Sequence, residues 1–367
     1  MLAKFARDFT YCNYCPKLCS YSCPVSTVEG NESLSPWALM RSAGRALESE
    51  TLPSEETQAA WYACTGCMRC TEHCRHGNAV PAALYTAREQ SLKSKGAPKR
   101  ILALVDSFEE RQQQLKAQEQ KNFGPYTTEK SSVAFVPGCA SVRSNVQNAR
   151  DNAELVASLC EQPPQILSAR CCGLPLLESG DIDGFRKQAT LFLEPLNNFG
   201  VSYFQDPSCL HALLKLAPQF GITHQSSLHH VSELCFAKLN LFTSLGTSAS
   251  VHYHDACRLS RGLGIFNEPR AVLSKILDRP VNESKPIGDS HLCAGSCGQF
   301  PASHPDIHQK LNKELISELG LQSGEQLVHC CPSTVASLNQ QAGTTVASDF
   351  GSFVAKSLRY RKELDFS

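Results

Sequence analysis

Three features of this chain predict an α+β multidomain protein, in which an α-helical module and a helical linker precede a duplicated α/β unit. Residues 1–95 carry eight cysteines in two tight groups, with helix-like stretches between them. From about residue 131 short β-rich runs alternate with helical stretches, the pattern of an α/β layer. That second part also repeats itself with a period of about 120 residues, which marks a duplicated domain and not a solenoid.

Composition narrows the class. At 367 residues the chain can build two or three compact domains with cores of their own. With 42% hydrophobic and 19% charged residues it is globular and not disordered. Formal charge is zero, so nothing electrostatic points to nucleic acid. No apolar run approaches the roughly 18–20 residues that cross a bilayer. The opening "MLAKFARDFTYC" has no apolar signal-peptide stretch. The expectation is a soluble cytoplasmic chain, peripheral to the inner face of the membrane if it meets one at all. Nineteen cysteines are far too many for ordinary packing. Disulfide frameworks belong to small secreted domains, which leaves metal or cluster ligation as the main reading.

The first group, "CNYCPKLCSYSCP", holds Cys12, Cys15, Cys19 and Cys23, followed by Pro24. Ser35-Pro36 then reads as the cap and first position of a helix over "WALMRSAGRAL". The second group, "CTGCMRCTEHC", sets Cys64, Cys67, Cys70 and Cys74 at gaps of two, two and three. C-x2-C-x2-C wraps the backbone around a cubic cluster, so that three sulfurs reach three corners and amide N–H groups face the sulfides. In two-cluster ferredoxins the fourth sulfur comes from the other group. Zinc prefers two separated pairs closing a tetrahedron. Crossed ligation of two [4Fe-4S] clusters is therefore expected, with Cys12, Cys15, Cys19 and Cys74 on one. Cys64, Cys67, Cys70 and Cys23 would hold the other. The gap of three between Cys15 and Cys19 forces one extra residue to bulge. Arg75 stands where the pattern has proline, a change expected to affect chain direction more than ligation.

Pro81 opens "AALYTAREQSLKSKG", which Gly96 ends, and residues 101–121 read as a connecting helix with a solvated face. "SVAFVPGC", "VSYFQDPSC", "SVHYHDAC" and "EQLVHCCPS" then read as strands that each run into a cysteine-bearing turn. Between them Ile182, Phe185, Ala189, Phe192, Leu196 and Phe199 fall at helical spacing, as do Ile307, Leu311 and Leu315. "VAFVPGCASV" pairs with "VHYHDACRLS", "ARCCGLP" with "LCAGSCGQF", and "FQDPSCLHALL" with "HCCPSTVASL". The basic tail "KSLRYRKEL" reads as a solvated helix face.

In "CCG" at 171–173, neighbouring side chains on an extended backbone diverge. Two thiolates can thus serve different irons or bridge a pair, and the glycine permits close backbone approach. With Cys139 and Cys209 they form C-x31-C-C-x36-C. These motifs, together with "VHYHDACRLSRGLG" and "HLCAGSCGQFPASHPDIHQKL", resemble the CCG-domain iron–sulfur proteins. That family includes subunits of glycolate oxidase, anaerobic glycerol-3-phosphate dehydrogenase, lactate-utilisation enzymes and heterodisulfide reductases. The resemblance implies an α-helical dicluster ferredoxin module (1–95), a helical linker (96–130) and two cysteine-rich CCG domains (131–247 and 248–367). It also implies C…CC…C-x2-C ligand sets, from which this chain departs. Asp206 replaces a sulfur in "DPSC", Ala294 stands for the vicinal cysteine, and Thr334 fills the last ligand position. Cys139, Cys171, Cys172 and Cys209 remain in the first repeat, and Cys257, Cys293, Cys297, Cys330 and Cys331 in the second. At least one of these sets is expected to bind a further cluster.

Cys160 and Cys235 lie on apolar helical stripes and read as buried helix cysteines. His252 and His254 read as strand-end histidines donating to carbonyls, with tuning of a cluster as the alternative. His73 and His76 read as loop residues. No phosphate-cradling glycine motif follows a strand, and no nucleophile–base pair stands out, so neither flavin nor nicotinamide is expected on this chain. No catalytic residue is expected. The function implied by the resemblance is an iron–sulfur electron-transfer subunit, relaying electrons between a flavin dehydrogenase and a membrane- or quinone-linked acceptor. Two alternatives stand beside it: a heterodisulfide-reductase-like catalytic subunit, and a zinc-bound scaffold or assembly factor.

Overall fold

The β-rich runs do become strands, and each sheet adds edge strands that carry no sequence pattern. The computed structural model describes residues 2–49, 51–123, 131–167, 170–247, 250–283 and 288–365. Strands β1 (Val133–Val136), β2 (Gln165–Ile166), β3 (Val201–Phe204) and β4 (Ser227–His230) form a parallel sheet in the order β2-β1-β3-β4. Strands β5 (Val251–His254), β6 (Asn282–Glu283), β7 (Gln326–His329) and β8 (Ala347–Asp349) form a second in the order β6-β5-β7-β8. The two orders are identical, so the sequence repeat is a repeat of topology. In both sheets the order reverses beside the central strand, between β1 and β3 and between β5 and β7. Open parallel sheets bind ligands just beyond the carboxyl ends of the strands at such a reversal. The cysteine turns sit there.

Parallel strands are covered on both faces and so run apolar throughout, as all four residues of β1 show. The helix Ile182–Leu196 buries Ile182, Phe185, Ala189, Phe192 and Leu196, and Phe199 is buried just beyond its end. Helix Val146–Cys160 packs on the last helix, Phe350–Asp365, which fuses the two repeats. One hydrophobic cluster takes in Val133 and Phe135 of the first sheet with Tyr253, Val328 and Phe350 of the second unit. Asp349 adds a buried polar tie, accepting from Asn152 at 2.6 Å and from Gln205 at 3.0 Å. The side chains of the basic tail beyond Leu358 lie outside the described residues.

The N-terminal part is helical, with Leu2–Tyr14, Pro36–Ser49, Glu55–Trp61 and Val80–Lys93 around Phe9, Leu39, Met40, Trp61 and Leu84. Ser35 caps the second of these through the Ala38 N–H at 3.3 Å. The connecting segment is not one helix but two, Lys99–Asp106 and Phe108–Phe123. The break falls at Ser107, whose hydroxyl bonds back to the Ala103 carbonyl at 2.7 Å, a local bond that competes with the helical ladder. Nor is its face wholly solvated, because Phe108, Leu115 and Phe123 are buried.

Candidate functional site

Four groups of thiols assemble from segments distant in sequence. Cys12, Cys15, Cys19 and Cys74 line a cavity of about 160 Å³ with Trp37 and Asn78. Burial pushes the Cys12 thiol up to about 11, against a 3.2 Å hydrogen bond from Asn78, and the neighbouring thiols add to the rise. Burial likewise takes Cys19 to about 11. Cys23, Cys64, Cys67 and Cys70 line a second, narrower cavity of about 20 Å³. There burial raises Cys23 to about 12, and burial first, then the thiols of Cys64, Cys67 and Cys23, raise Cys70. Cys74 thus lines the cavity of the first group and Cys23 that of the second, while Cys70 lines both.

The long gap in the first group has a local solution. Lys17 takes a left-handed φ of 64°, and Met68 in the second group takes 63°. Lys17 therefore occupies the place of Met68, and Pro16 is the extra residue. Glu32 at 3.4 Å and the Trp37 ring at 3.8 Å hold Lys17 there. The Arg75 substitution changes chain direction. After Cys23 the chain enters the helix Pro24–Glu29 at once, whereas after Cys74 five residues precede the helix Val80–Lys93.

In the first repeat Cys139, Cys171, Cys172 and Cys209 form a continuous row of side-chain contacts. Contact with Cys171, then burial, drives the Cys139 thiol well up. Gln112 anchors the vicinal pair, accepting the Cys171 N–H at 3.0 Å. Asp206, in the place of a sulfur, is buried and caps the next helix by accepting the Ser208 N–H at 2.8 Å.

In the second repeat Cys257, Cys293, Cys297 and Cys331 line a cavity of about 20 Å³ with His254 and His329. The Cys297 and Cys331 sulfurs lie 3.3 Å apart. Cys293 touches both Cys257 and Cys67, so this set abuts the second N-terminal set. Cys330 is not among them: its sulfur lies 3.7 Å from the Tyr253 hydroxyl in the shared core. Cys235 is buried in a helix and Cys160 half-buried at a helix end. His73 and His76 are exposed, and His252 pairs with Glu325 at 3.3 Å.

Sequence reading missed the device that joins these sets. Arg258, next to Cys257, forms a buried ion pair with Glu178 of the first repeat. Glu178 also accepts the Gln299 N–H at 3.0 Å, and its carbonyl accepts from Arg88 of the N-terminal module at 2.8 Å. Arg88 holds the Cys64 carbonyl at 3.0 Å, and Arg261 holds that of Cys67 at 2.7 Å. Two glycines at positive φ make room, because a Cβ on Gly66 would strike Arg258 and one on Gly298 would strike Glu178. The only trace in the sequence is the pair of arginines in "CRLSR" behind Cys257, and charge alone does not say that they are buried.

The donor chemistry suits iron–sulfur clusters. Thiols predominate in both N-terminal cavities, with His73 and His76 also lining the first, and all nineteen cysteines are free. Burial raises Cys12 and Cys70, whereas contact with Cys293 lowers Cys67, and a cationic core favours the thiolate form. Backbone N–H groups already face sulfur, from Gly66 to Cys64 at 3.4 Å and from Gly295 to Cys293 at 3.3 Å. Filling the narrower cavities requires the thiols to swing outward. Among the described residues no three His, Cys, Asp or Glu side chains are arranged to hold a single metal ion.

Comparison with known proteins decides the family. Residues 8–78 match a 4Fe-4S dicluster domain, and residues 133–213 and 251–339 each match a cysteine-rich domain of the CCG type. The chain carries a 4Fe-4S dicluster domain followed by two CCG domains. It is 25% identical over 162 residues to a subunit of the fumarate reductase (CoM/CoB) of Methanothermobacter marburgensis, covering 44% of this chain and 32% of that protein. It is 24% identical over 301 residues to a subunit of the dihydromethanophenazine:CoB–CoM heterodisulfide reductase of Methanosarcina mazei, covering 76% and 72%. With lactate utilization protein A of Oceanobacillus iheyensis it shares 24% over 175 residues, covering 43% and 68%. The CCG-domain protein has no described helix long and apolar enough to cross a membrane.

Proposed function

We propose that this chain is an electron-transfer subunit, organised as a dicluster module (1–95), a linker (96–130) and two cysteine-rich domains (131–247 and 248–367). Cys12, Cys15, Cys19 and Cys74 would hold one [4Fe-4S] cluster, and Cys64, Cys67, Cys70 and Cys23 the other. The crossing of Cys23 and Cys74 between the two groups carries this reading. Bound clusters supply one-electron carriers. The protein's part is to bury them, point Gly66 and Asn78 donors at sulfur, and place arginines beside the second N-terminal set and the second-repeat set.

The second-repeat set takes a further cluster, and its contact with Cys67 makes it the next station after the N-terminal pair. Electrons then come from or go to a flavin dehydrogenase, with a quinone-linked acceptor at the far end. The names of the relatives support a place in a multi-subunit redox complex. Isolation of the tagged chain from its native cells tests the partner: a yellow, flavin-bearing protein comes with it, and recovery of the chain by itself would count against the relay.

A further inference from the structure

His254 closes β5 and faces His329 of β7 across the parallel ladder, at the sheet's reversal point. It is 3% exposed. Its ring stacks on His329 at 5.4 Å and meets His291 edge-on at 5.3 Å. His329 uses its Nδ1 to accept the Cys331 N–H at 2.9 Å, and His291 Nδ1 sits 3.0 Å from Arg261. Among the described residues neither ring nitrogen of His254 has a hydrogen-bond partner, and the Nε2 of His291 has none. The strand-end reading, in which His254 donates to a carbonyl, is therefore not met. A buried imidazole must carry one N–H and one lone pair, and leaving both unmatched forfeits their hydration without return. Buried polar groups of this kind call for an occupant beyond the protein's own atoms.

The occupant is indicated by the neighbours. His254 lines the same cavity as Cys257, Cys293, Cys297 and Cys331, and so does Thr334, one of the positions where the family pattern has a sulfur. We infer that a ring nitrogen of His254 contacts the iron–sulfur group of the second repeat directly, either bonded to iron or donating N–H to a sulfide. This rests on the reading that the second repeat binds a cluster. Nitrogen ligation and N–H···S hydrogen bonding both make such a cluster easier to reduce. His254 is thus the residue that sets this station's potential apart from the two N-terminal ones.

The test uses the full chain, reconstituted anaerobically with ferrous iron and sulfide and labelled with ¹⁵N-histidine. The second-repeat signal is identified as the one that Cys331→Ala removes. Nuclear–electron coupling measured on that signal should show a histidine nitrogen, strong if bonded to iron and weak if hydrogen-bonded. His254→Leu should abolish the coupling, and His252→Gln should leave it. His254→Leu should also lower the reduced-to-oxidised ratio of that cluster at a fixed poise about tenfold, which is about 59 mV for one electron. A second-repeat signal without histidine coupling, seen in the unsubstituted protein, overturns the role of His254 alone. If Cys331→Ala removes no signal, the cluster reading itself fails, and this inference with it.

Discussion

Cys330 and Cys331 are neighbours in the chain and face opposite ways, because adjacent side chains leave an extended backbone on opposite sides. Cys331 joins the cavity, and Cys330 packs in the core against Tyr253. Cys330→Ala should therefore keep the iron content and cost about 1 kcal/mol of stability, as a typical core truncation does. Cys331→Ala should lose the second-repeat cluster. Iron assay and urea unfolding of both variants check this, and iron loss from Cys330→Ala would reverse the assignment. The Arg258–Glu178 pair is a sharper case, with side chains only 2% and 3% exposed. Removing one partner leaves the other charge buried, which costs about 3–5 kcal/mol. Glu178→Ala should show that loss in unfolding, and a change within about 0.5 kcal/mol would mean that solvent reaches Arg258.

The loops that carry the cysteines depend on backbone shape as much as on sulfur. Gly298 has φ of 66°, and an added Cβ would run into the Glu178 carboxylate. Gly264, at φ 78°, has nothing within 4 Å of that position. Gly264→Ala should thus cost only the left-handed backbone penalty of about 1–2 kcal/mol. Gly298→Ala should cost clearly more and disturb the second-repeat cluster, which unfolding curves and the paramagnetic spectrum would show. Equal effects would place Glu178 elsewhere. The strands that were legible are β1, β3, β5 and β7, four-residue runs rich in buried apolar side chains and ended by cysteine turns. β2 and β6 have two residues each, too few for any period, and β4 reads "SLHH", whose polar letters disguise a strand. The helix break at Ser107 escaped because a back-bonding serine looks like any solvated helix position.

The two tight N-terminal cysteine groups were legible because spacing is a local property of the chain. The contact of Cys67 with Cys293 and the Arg258–Glu178–Arg88 junction were not, because they exist only once three distant segments meet. That junction holds the dicluster module against both repeats, so the three parts pack together and not as beads on a string. The same geometry makes a prediction about catalysis. Asp206, Ala294 and Thr334 stand where the family pattern has sulfur. The loaded chain by itself should therefore not turn over a small disulfide with a reduced dye, and steady turnover would favour the catalytic alternative.

The most direct measurement is the iron and acid-labile sulfide content of anaerobically reconstituted protein, taken with its paramagnetic signal on reduction. Two crossed cubanes and at least one further cluster predict about twelve or more irons per chain, and about four fewer in Cys74→Ala. A colourless zinc protein would contradict the account, and about eight irons would leave the cysteine-rich repeats without their cluster.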